Sequence, residues 1–387
     1  MILPMTYDVI IVGAGPAGSS CAYHCARQGL TVLLLDGEAF PRQKPCGGAL
    51  SAQALSLLPF PLPPAVIERE CFGTRVRYGK DTVAVRKNER IAVLVDRAKL
   101  DPFLARKAVE QGARFLDGNR VTGIVPGREQ LEVRTAGASY RARFVVGADG
   151  AAGSAGRLVR PAFGRDELLT ALVGHVPADE GSISKRLGGD LDMVFGAAPR
   201  GYGWVFPHRS CYSVGVMGLA SRFEGAQHRA AAFARSAGLP VPAFRGHIIP
   251  VGGIRRRITA GRLLLAGDAA GFADPFHGEG MVHAIRSGDL AADAIVRGLA
   301  GQRDALAWYE SECDRLIVRQ LRVALQMAKM LVCYPGVFRE LFFSDTRALD
   351  RFLDIPLGKS DYVRFRRWLL LQLPRALFAQ LHPGRPR

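Results

Sequence analysis

The sequence predicts an α/β fold: a Rossmann-like dinucleotide domain interleaved with a mixed β-sheet domain and followed by a helical C-terminal region. Three observations carry this. The β-branched run Asp8-Val9-Ile10-Ile11-Val12 passes straight into the glycine-rich loop Gly13-Ala14-Gly15-Pro16-Ala17-Gly18 and a helical stretch, Ser19 to Gln28. Two further apolar runs, beginning at Phe144 and Arg262, end in the pairs Asp149-Gly150 and Gly267-Asp268. Beyond residue 300, apolar residues recur at helical spacing, as between Leu316 and Leu331, and Pro335-Gly336 ends that helix.

The bulk numbers agree with this reading. A chain of 387 residues is too long for one simple core and suits two connected domains. It is 48% hydrophobic and 22% charged, the composition of a folded protein. The net charge is +17, but only eight of the 52 basic residues are lysine and the arginines are spread along the chain. No basic run interleaved with aromatics is present, so nucleic acid is not expected as a partner. Seven scattered cysteines without a CxxC pair argue against a disulfide framework and against a metal site, and point to a reducing cytoplasm. No signal peptide and no stretch near the ~20 apolar residues of a membrane span are read in the sequence.

The first motif has a physical logic at each position. Gly13 allows the tight turn, Gly15 lets a pyrophosphate approach the backbone, and Gly18 lets helix and strand pack closely. Pro16 and Ala17 open the helix, whose free N–H groups and dipole favour phosphate. Thr31 to Leu35 is a second strand, and Asp36 follows it, 18 residues beyond Gly18, where a carboxylate accepts from ribose hydroxyls.

The two later strands select the dinucleotide. The Gly267-Asp268 strand end runs into Asp274-Pro275-Phe276-His277-Gly278-Glu279-Gly280-Met281 and a helix. With Asp149, these segments resemble the flavoproteins built like para-hydroxybenzoate hydroxylase and glutathione reductase. The resemblance implies FAD, with Asp268 on the ribityl chain, Gly278, Gly280 and Met281 lining the isoalloxazine, and Gly267 and Pro275 among the cofactor-binding residues. A helix N-terminus there favours an anionic reduced flavin. Arg97, in Val95-Asp96-Arg97-Ala98-Lys99-Leu100-Asp101, matches the family arginine that reaches FAD from a helix start. Asp149 is expected to shape the pocket, and Val121 is placed with the cofactor residues by the same resemblance.

Three separated motifs narrow the family. Phe40-Pro41-Arg42-Gln43-Lys44-Pro45-Cys46-Gly47-Gly48-Ala49-Leu50, Tyr202-Gly203-Trp204-Val205-Phe206-Pro207, and the Asp-Pro-x-x-Gly-Glu-Gly turn at Asp274 to Gly280 closely resemble the geranylgeranyl reductase family. The resemblance covers Tyr7 to about Gly301, and Gly358 to Tyr362 is similar to that family's C-terminal region. It implies saturation of C=C bonds in a prenyl chain on a lipid, quinone or pigment precursor, by hydride transfer from flavin N5. It places Arg42, Cys46, Gly47, Gly48 and Ala49 against the flavin. Three positions depart from the pattern: Ala49 where a third glycine is frequent, His277 where threonine is common, and His208 where lysine is.

The candidate catalytic residues are Cys46, Tyr202, Trp204 and His277. Tyr202, Trp204 and Phe206 alternate along a strand and so share one face, which would wall an apolar slot. Cys46 would shape the pocket or help protonate the product carbon. His277 titrates near neutrality and is a second candidate donor, with Glu279 orienting the loop.

The FAD domain is expected at roughly 1–70, 95–160 and 255–300, the substrate domain at 71–94 and 161–254, and the helical region at 301–387. The reductant is left open among NADPH, NADH and ferredoxin, the last implying an electron-donor protein. The segment Val363 to Leu381 carries Phe365, Trp368, Leu377 and Phe378 among Arg364, Arg366, Arg367 and Arg375, with Pro374 interrupting it. It reads as a helix over the cavity or as peripheral contact with the inner face of a membrane. An alternative function is a monooxygenase or halogenase of secondary metabolism, for which Lys80 is the nearest candidate lysine.

Overall fold

The protein was described from a computed structural model, which covers residues 6–251 and 256–381, with no side chains described for 375–381. Residues 252–255, where the expected boundary between the FAD and substrate segments falls, lie outside the described residues, as do the side chains of Arg375, Leu377 and Phe378.

The strand Thr6–Val12 lies at the centre of an eight-stranded sheet, parallel to Val32–Leu35 on one side and to Ser139–Gly147 on the other. Leu263–Leu265 extends the sheet next to Ser139–Gly147, and Arg114–Leu116 next to Val32–Leu35. Val9, Ile10 and Ile11 are fully buried, in a core shared with helix residues such as Cys21 and Ala291 and with Ile124 and Val133 of neighbouring strands. That is why the run is uniformly apolar rather than alternating. Two glycines permit the helix packing. A Cβ on Gly18 would lie 1.8 Å from the Gly13 carbonyl oxygen, and one on Gly288 2.3 Å from that of Ala17. The helices Pro16–Arg27 and Met281–Leu299 therefore cross in close contact above the strand ends.

A second, seven-stranded sheet runs in the order Arg245–Pro250, Leu168–Pro177, Cys211–Leu219, Tyr202–Pro207, Asp190–Phe195, Gly73–Tyr78, Asp81–Arg86. All its pairs are antiparallel except Asp190–Phe195 with Gly73–Tyr78. Period-2 alternation splits its two faces. Val205, Val214 and Val216 pack under the helix Ala226–Ser236 with Phe233, while Tyr202, Trp204, Phe206 and Met217 face the other way. A small three-stranded sheet, Ala49–Ser51, Ala92–Val95 and Ile67–Cys71, joins the two halves.

The chain then turns helical. Ala305–Cys313 continues through a π-helical turn, Asp314–Val318, into Arg319–Cys333. The predicted helix from Leu316 to Leu331 thus belongs to a longer rod. Pro335 does break it, and starts Pro335–Phe343 at the first helical position, where a missing N–H costs nothing. Pro374 does not interrupt the last helix, contrary to the sequence reading: Tyr362–Leu381 passes through it as one element. Phe365 and Leu369, both on the N-terminal side of the proline, pack into the same core as Phe338 and Phe342.

Candidate active site

The helix Pro16–Arg27 starts with Gly15 as N-cap and no side-chain cap, leaving its first N–H groups directed at the loop. A Cβ on Gly15 would stand 3.8 Å from guanidinium nitrogens of both Arg42 and Arg97. Both arginines are held by Asp101, which is fully buried. Arg97 grips it as a fork at 2.6 and 2.8 Å, and Arg42 Nη2 reaches it at 2.9 Å. Burial opposes the Arg97 charge, but the Asp101 charge and hydrogen bonds outweigh it and hold the guanidinium protonated. Asp96 caps this helix by accepting from the Ala98 N–H, which sets Arg97 at the helix start. Asp36, at the end of the second strand, accepts from Ala14 N–H at 2.8 Å and Glu38 N–H at 3.0 Å, so its carboxylate also shapes the glycine loop.

From this loop a single cavity, with about 260 Å³ open to water centres, runs past Lys44, Cys46, Gly47, Gly48 and Ala49 to the turn at His277 to Met281. The cavity then enters the space between the second sheet and the C-terminal helices. There it is walled by Tyr202, Trp204, Phe206, Met217, Phe338, Phe342 and Phe352. Its charged lining is confined to Lys44, Arg97, His247, Asp268, His277 and Glu279. Asp268 lies 3.9 Å from Lys44 and 4.0 Å from His247. Burial and the Lys44 charge push His247 down to about 4, which keeps it neutral.

The Cys46 loop is fixed from below. A Cβ on Gly47 would lie 3.2 Å from the Phe206 ring and 3.3 Å from Trp204 Nε1, and Gly48 has φ +85° with Val95 O and His208 against it. His208 Nε2 donates to the Gly47 carbonyl at 3.1 Å, and Cys46 Sγ accepts from Gly48 N–H at 3.3 Å. His208 thus braces the loop from the position where lysine was expected.

His277 sits in a charged knot. Its Nδ1 lies 3.1 Å from Asp274 Oδ2 and 2.8 Å from the Tyr362 hydroxyl, and its Nε2 lies 3.2 Å from Glu279 Oε2. Burial alone would lower its pKa, but the Asp274 charge and the hydrogen bonds its ring N–H groups give to both carboxylates raise it to about 10. Asp274 is fully buried, yet the His277 charge holds it down at about 2. Its Oδ1 also accepts from the N–H groups of Phe276 and His277, which fixes the turn. Tyr202 donates its hydroxyl to the His277 carbonyl at 2.5 Å, and burial pushes that phenol's pKa up.

Most of the residues singled out in the sequence converge on this cavity. Gly15, Pro16, Ala17, Arg97, Cys46 to Ala49, Asp268, Gly278, Gly280, Met281, Tyr202, Trp204 and His277 line it. Gly13, Gly18, Asp36, Arg42, Asp149, Gly267 and Pro275 do not line it but stand directly behind or beside residues that do. Asp149 accepts from Ala155 N–H and stays off the wall, while its neighbours Ala148 and Gly150 reach it. Val121 does not line the cavity: it begins the edge strand Val121–Pro126 and packs half-buried on the first core. Lys80 sits in the turn between Gly73–Tyr78 and Asp81–Arg86, outside the cavity. Asp101, Lys44, His247 and Tyr362 were missed. Asp101 carried a usable signal, since it stands four residues after Arg97, the spacing of a helical ion pair. Tyr362 carried none, being 85 residues from His277.

These features define a class. A glycine loop with two guanidiniums and an open helix N-terminus suits a pyrophosphate. A carboxylate at the cavity mouth suits a polyol, and a second helix N-terminus follows at Met281. The donor set fits FAD, and the protein is an FAD-dependent oxidoreductase. The FAD binding domain family matches residues 6–324. An uncharacterized protein of Methanosarcina barkeri is 33% identical over 345 residues, 85% of this chain and 84% of its own. Digeranylgeranylglycerophospholipid reductase 2 of Methanothermobacter thermautotrophicus is 31% identical over 366 residues, 84% of this chain and 88% of its own. Among solved structures, a geranylgeranyl bacteriochlorophyll reductase-like protein from Thermoplasma acidophilum shares the fold with a TM-score of 0.79 at 22% identity, covering 98% of this chain and 97% of its own. The chain belongs to the FAD binding domain family, in the group that includes the geranylgeranyl reductases.

Proposed function

We propose that the protein saturates carbon–carbon double bonds in a prenyl chain of the geranylgeranyl type, carried on a lipid, quinone or pigment precursor. The observation that supports this most is the single cavity that starts at the dinucleotide loop and ends in an apolar slot with no charged wall beyond His277 and Glu279. A slot of that kind rewards an extended hydrocarbon and offers a polar substrate nothing. FAD bound at the loop and turn would supply a hydride from N5 of its reduced form to one carbon, with a proton going to the neighbouring carbon. The chain's residues do the rest. Trp204 and Phe206 exclude water and hold the chain flat against the flavin turn. Arg42 and Arg97 hold the pyrophosphate, and Asp268 the ribityl chain. Of the other candidate donors read in the sequence, Tyr202 has committed its hydrogen to the His277 carbonyl, and His277 is clamped by two carboxylates. Cys46 is therefore assigned the proton delivery.

With Cys46→Ala, turnover is expected to fall about 100-fold, the lower end for loss of a positioned acid, with flavin content unchanged. A change below about threefold would return Cys46 to a packing role.

The class of reaction is tested without oxygen. Protein reduced by dithionite and mixed anaerobically with a geranylgeranyl lipid is expected to yield saturated product and oxidised flavin in equal amounts. Flavin that reoxidises only when oxygen is admitted, across a panel of prenyl lipids, would favour the monooxygenase or halogenase reading. A substrate of this kind is delivered from a lipid phase, and peripheral contact with a membrane surface is part of the proposal. Among the described residues, no helix is long and apolar enough to cross a membrane.

A further inference from the structure

Eight large hydrophobic side chains are exposed among the described residues, and four of them, Val332, Tyr334, Leu370 and Leu371, belong to the C-terminal helices. Tyr334 is 65% exposed and Leu371 77%. The four are brought to one place. Gln320 accepts from the backbone N–H of Tyr362 at 2.9 Å, and Gln326 accepts from Arg366 at 2.7 Å. The helices Arg319–Cys333 and Tyr362–Leu381 therefore run side by side in the same direction. At about 1.5 Å per residue, Leu370 is ~6 Å beyond the second contact and Val332 ~9 Å beyond it, so the two lie at a similar level along the pair.

Each helix also shows one ordered solvent stripe. On the first it runs Arg319, Arg322, Gln326, Lys329, Val332 and Cys333, and on the second Arg364, Arg367, Leu370, Leu371 and Pro374. Along each of these stripes the cations precede the apolar residues; the second helix runs on past Leu371 to Leu381. The two helices carry three and four basic residues respectively and no aspartate or glutamate. The opposite side of the second helix is spent on the core through Phe365 and Leu369.

We propose that the exposed apolar patch formed by Val332, Tyr334, Leu370 and Leu371 docks on a lipid bilayer bearing anionic headgroups. This rests on the lipid-substrate reading above and names the surface through which the protein meets that lipid. The spacing fits: Arg367 lies four residues, or ~6 Å, behind Leu371. That is comparable to the roughly 5–10 Å to which interfacial helices sink, so the cations stay among headgroups. A second copy of the chain fits this face poorly, since an isologous contact would set like cations against one another. The location also serves the cavity. Tyr334 leads directly into Pro335–Phe343, whose Phe338, Phe342 and Phe343 line it. Docking sets the outer side of that helix against the phase that holds the substrate.

The test is co-sedimentation of the flavin-loaded protein with vesicles of phosphatidylcholine, with and without phosphatidylglycerol. The wild type is expected to sediment with the anionic vesicles and to be released by salt. The double variant Leu370→Asp with Leu371→Asp, and separately Val332→Asp with Tyr334→Asp, are each expected to bind roughly tenfold more weakly or worse. Flavin content and melting are expected to match the wild type, since all four side chains are exposed. Binding unchanged in both variants overturns the assignment of the surface. Failure of the wild type to bind any vesicle overturns docking altogether. Self-association of the wild type that both variants abolish gives the face to a second copy and also overturns it. Reduction of a detergent-dispersed prenyl alcohol is expected to be unaffected in the variants. If the wild type itself fails there while binding vesicles, the substrate reading falls and the docking face stands.

Discussion

Replacing Asp101 with asparagine is expected to cost about 3–5 kcal/mol of stability and to yield protein largely free of flavin. That is the range for removing one partner of a buried ion pair. Asp101 is fully buried and is the shared counter-charge of Arg97 and Arg42. Without it, Arg97 loses its ion-pair partner and Arg42 keeps only Asp36, 3.6 Å from its Nε, while both guanidiniums stay close to Gly15. The fork at 2.6 and 2.8 Å also fixes the direction of Arg97, so both the charge and the geometry offered to a pyrophosphate are lost. The measurement is flavin content on purification, together with melting temperature with and without added FAD. Added FAD should restore part of the stability by mass action, because it re-supplies the negative charge. A variant that purifies with full flavin and melts with the wild type would remove Asp101 from this role.

His277→Asn is expected to flatten the dependence of stability on pH on the alkaline side and to destabilise the protein by a similar amount at neutrality. The sign follows from the direction of the shifts. His277 is raised to about 10 in the folded protein, so its contribution is complete below its unfolded value near 6.5. That contribution declines as pH rises and is gone above about 10. Asp274 is lowered to about 2, so its contribution is present above about 4 and lost as pH falls through about 2. The wild type should therefore be most stable between about pH 4 and 6.5 as far as this knot is concerned. In the asparagine variant Asp274 and Glu279 are buried without their cation, which is the cost at neutrality, and no histidine remains to give up its proton between pH 6.5 and 10. Stability should then stop falling between pH 6.5 and 10. Melting curves across that range decide it, and a slope equal to the wild type's would exclude the knot as its source. Tyr362→Phe is the milder companion, removing one hydrogen bond from His277 while leaving its charge pair.

The dinucleotide half of the protein was legible because its signals are local. Strand, loop, helix and acid lie within residues 8–36, and close backbone approach demands glycine at the positions where the sequence has it. The face shared by Tyr202, Trp204 and Phe206 was legible for the same reason, since strand alternation is a property of neighbours. Other features were not local. Val121 was placed with the cofactor by analogy and lies off the cavity, on an edge strand whose position depends on pairing with Leu131–Thr135. Pro374 was read as a break because proline removes a helix hydrogen bond locally, and the helix nevertheless runs through it to Leu381.

By itself the sequence determined the α/β class, the glycine loop with Asp36, the Asp268 strand end and the Cys46 loop. Each is a stretch whose backbone or chemistry is dictated by the residues next to it. Only the tertiary structure decided that Asp101 would hold both arginines, that His208 would brace the Cys46 loop, and that Tyr362 would cross 85 residues to meet His277. It also decided that the cavity would be closed by Phe338 and Phe342 from the C-terminal helices. The physical reason is common to all four. Desolvating a charge or enclosing an apolar slot takes partners from several directions at once, and elements distant along the chain supply them.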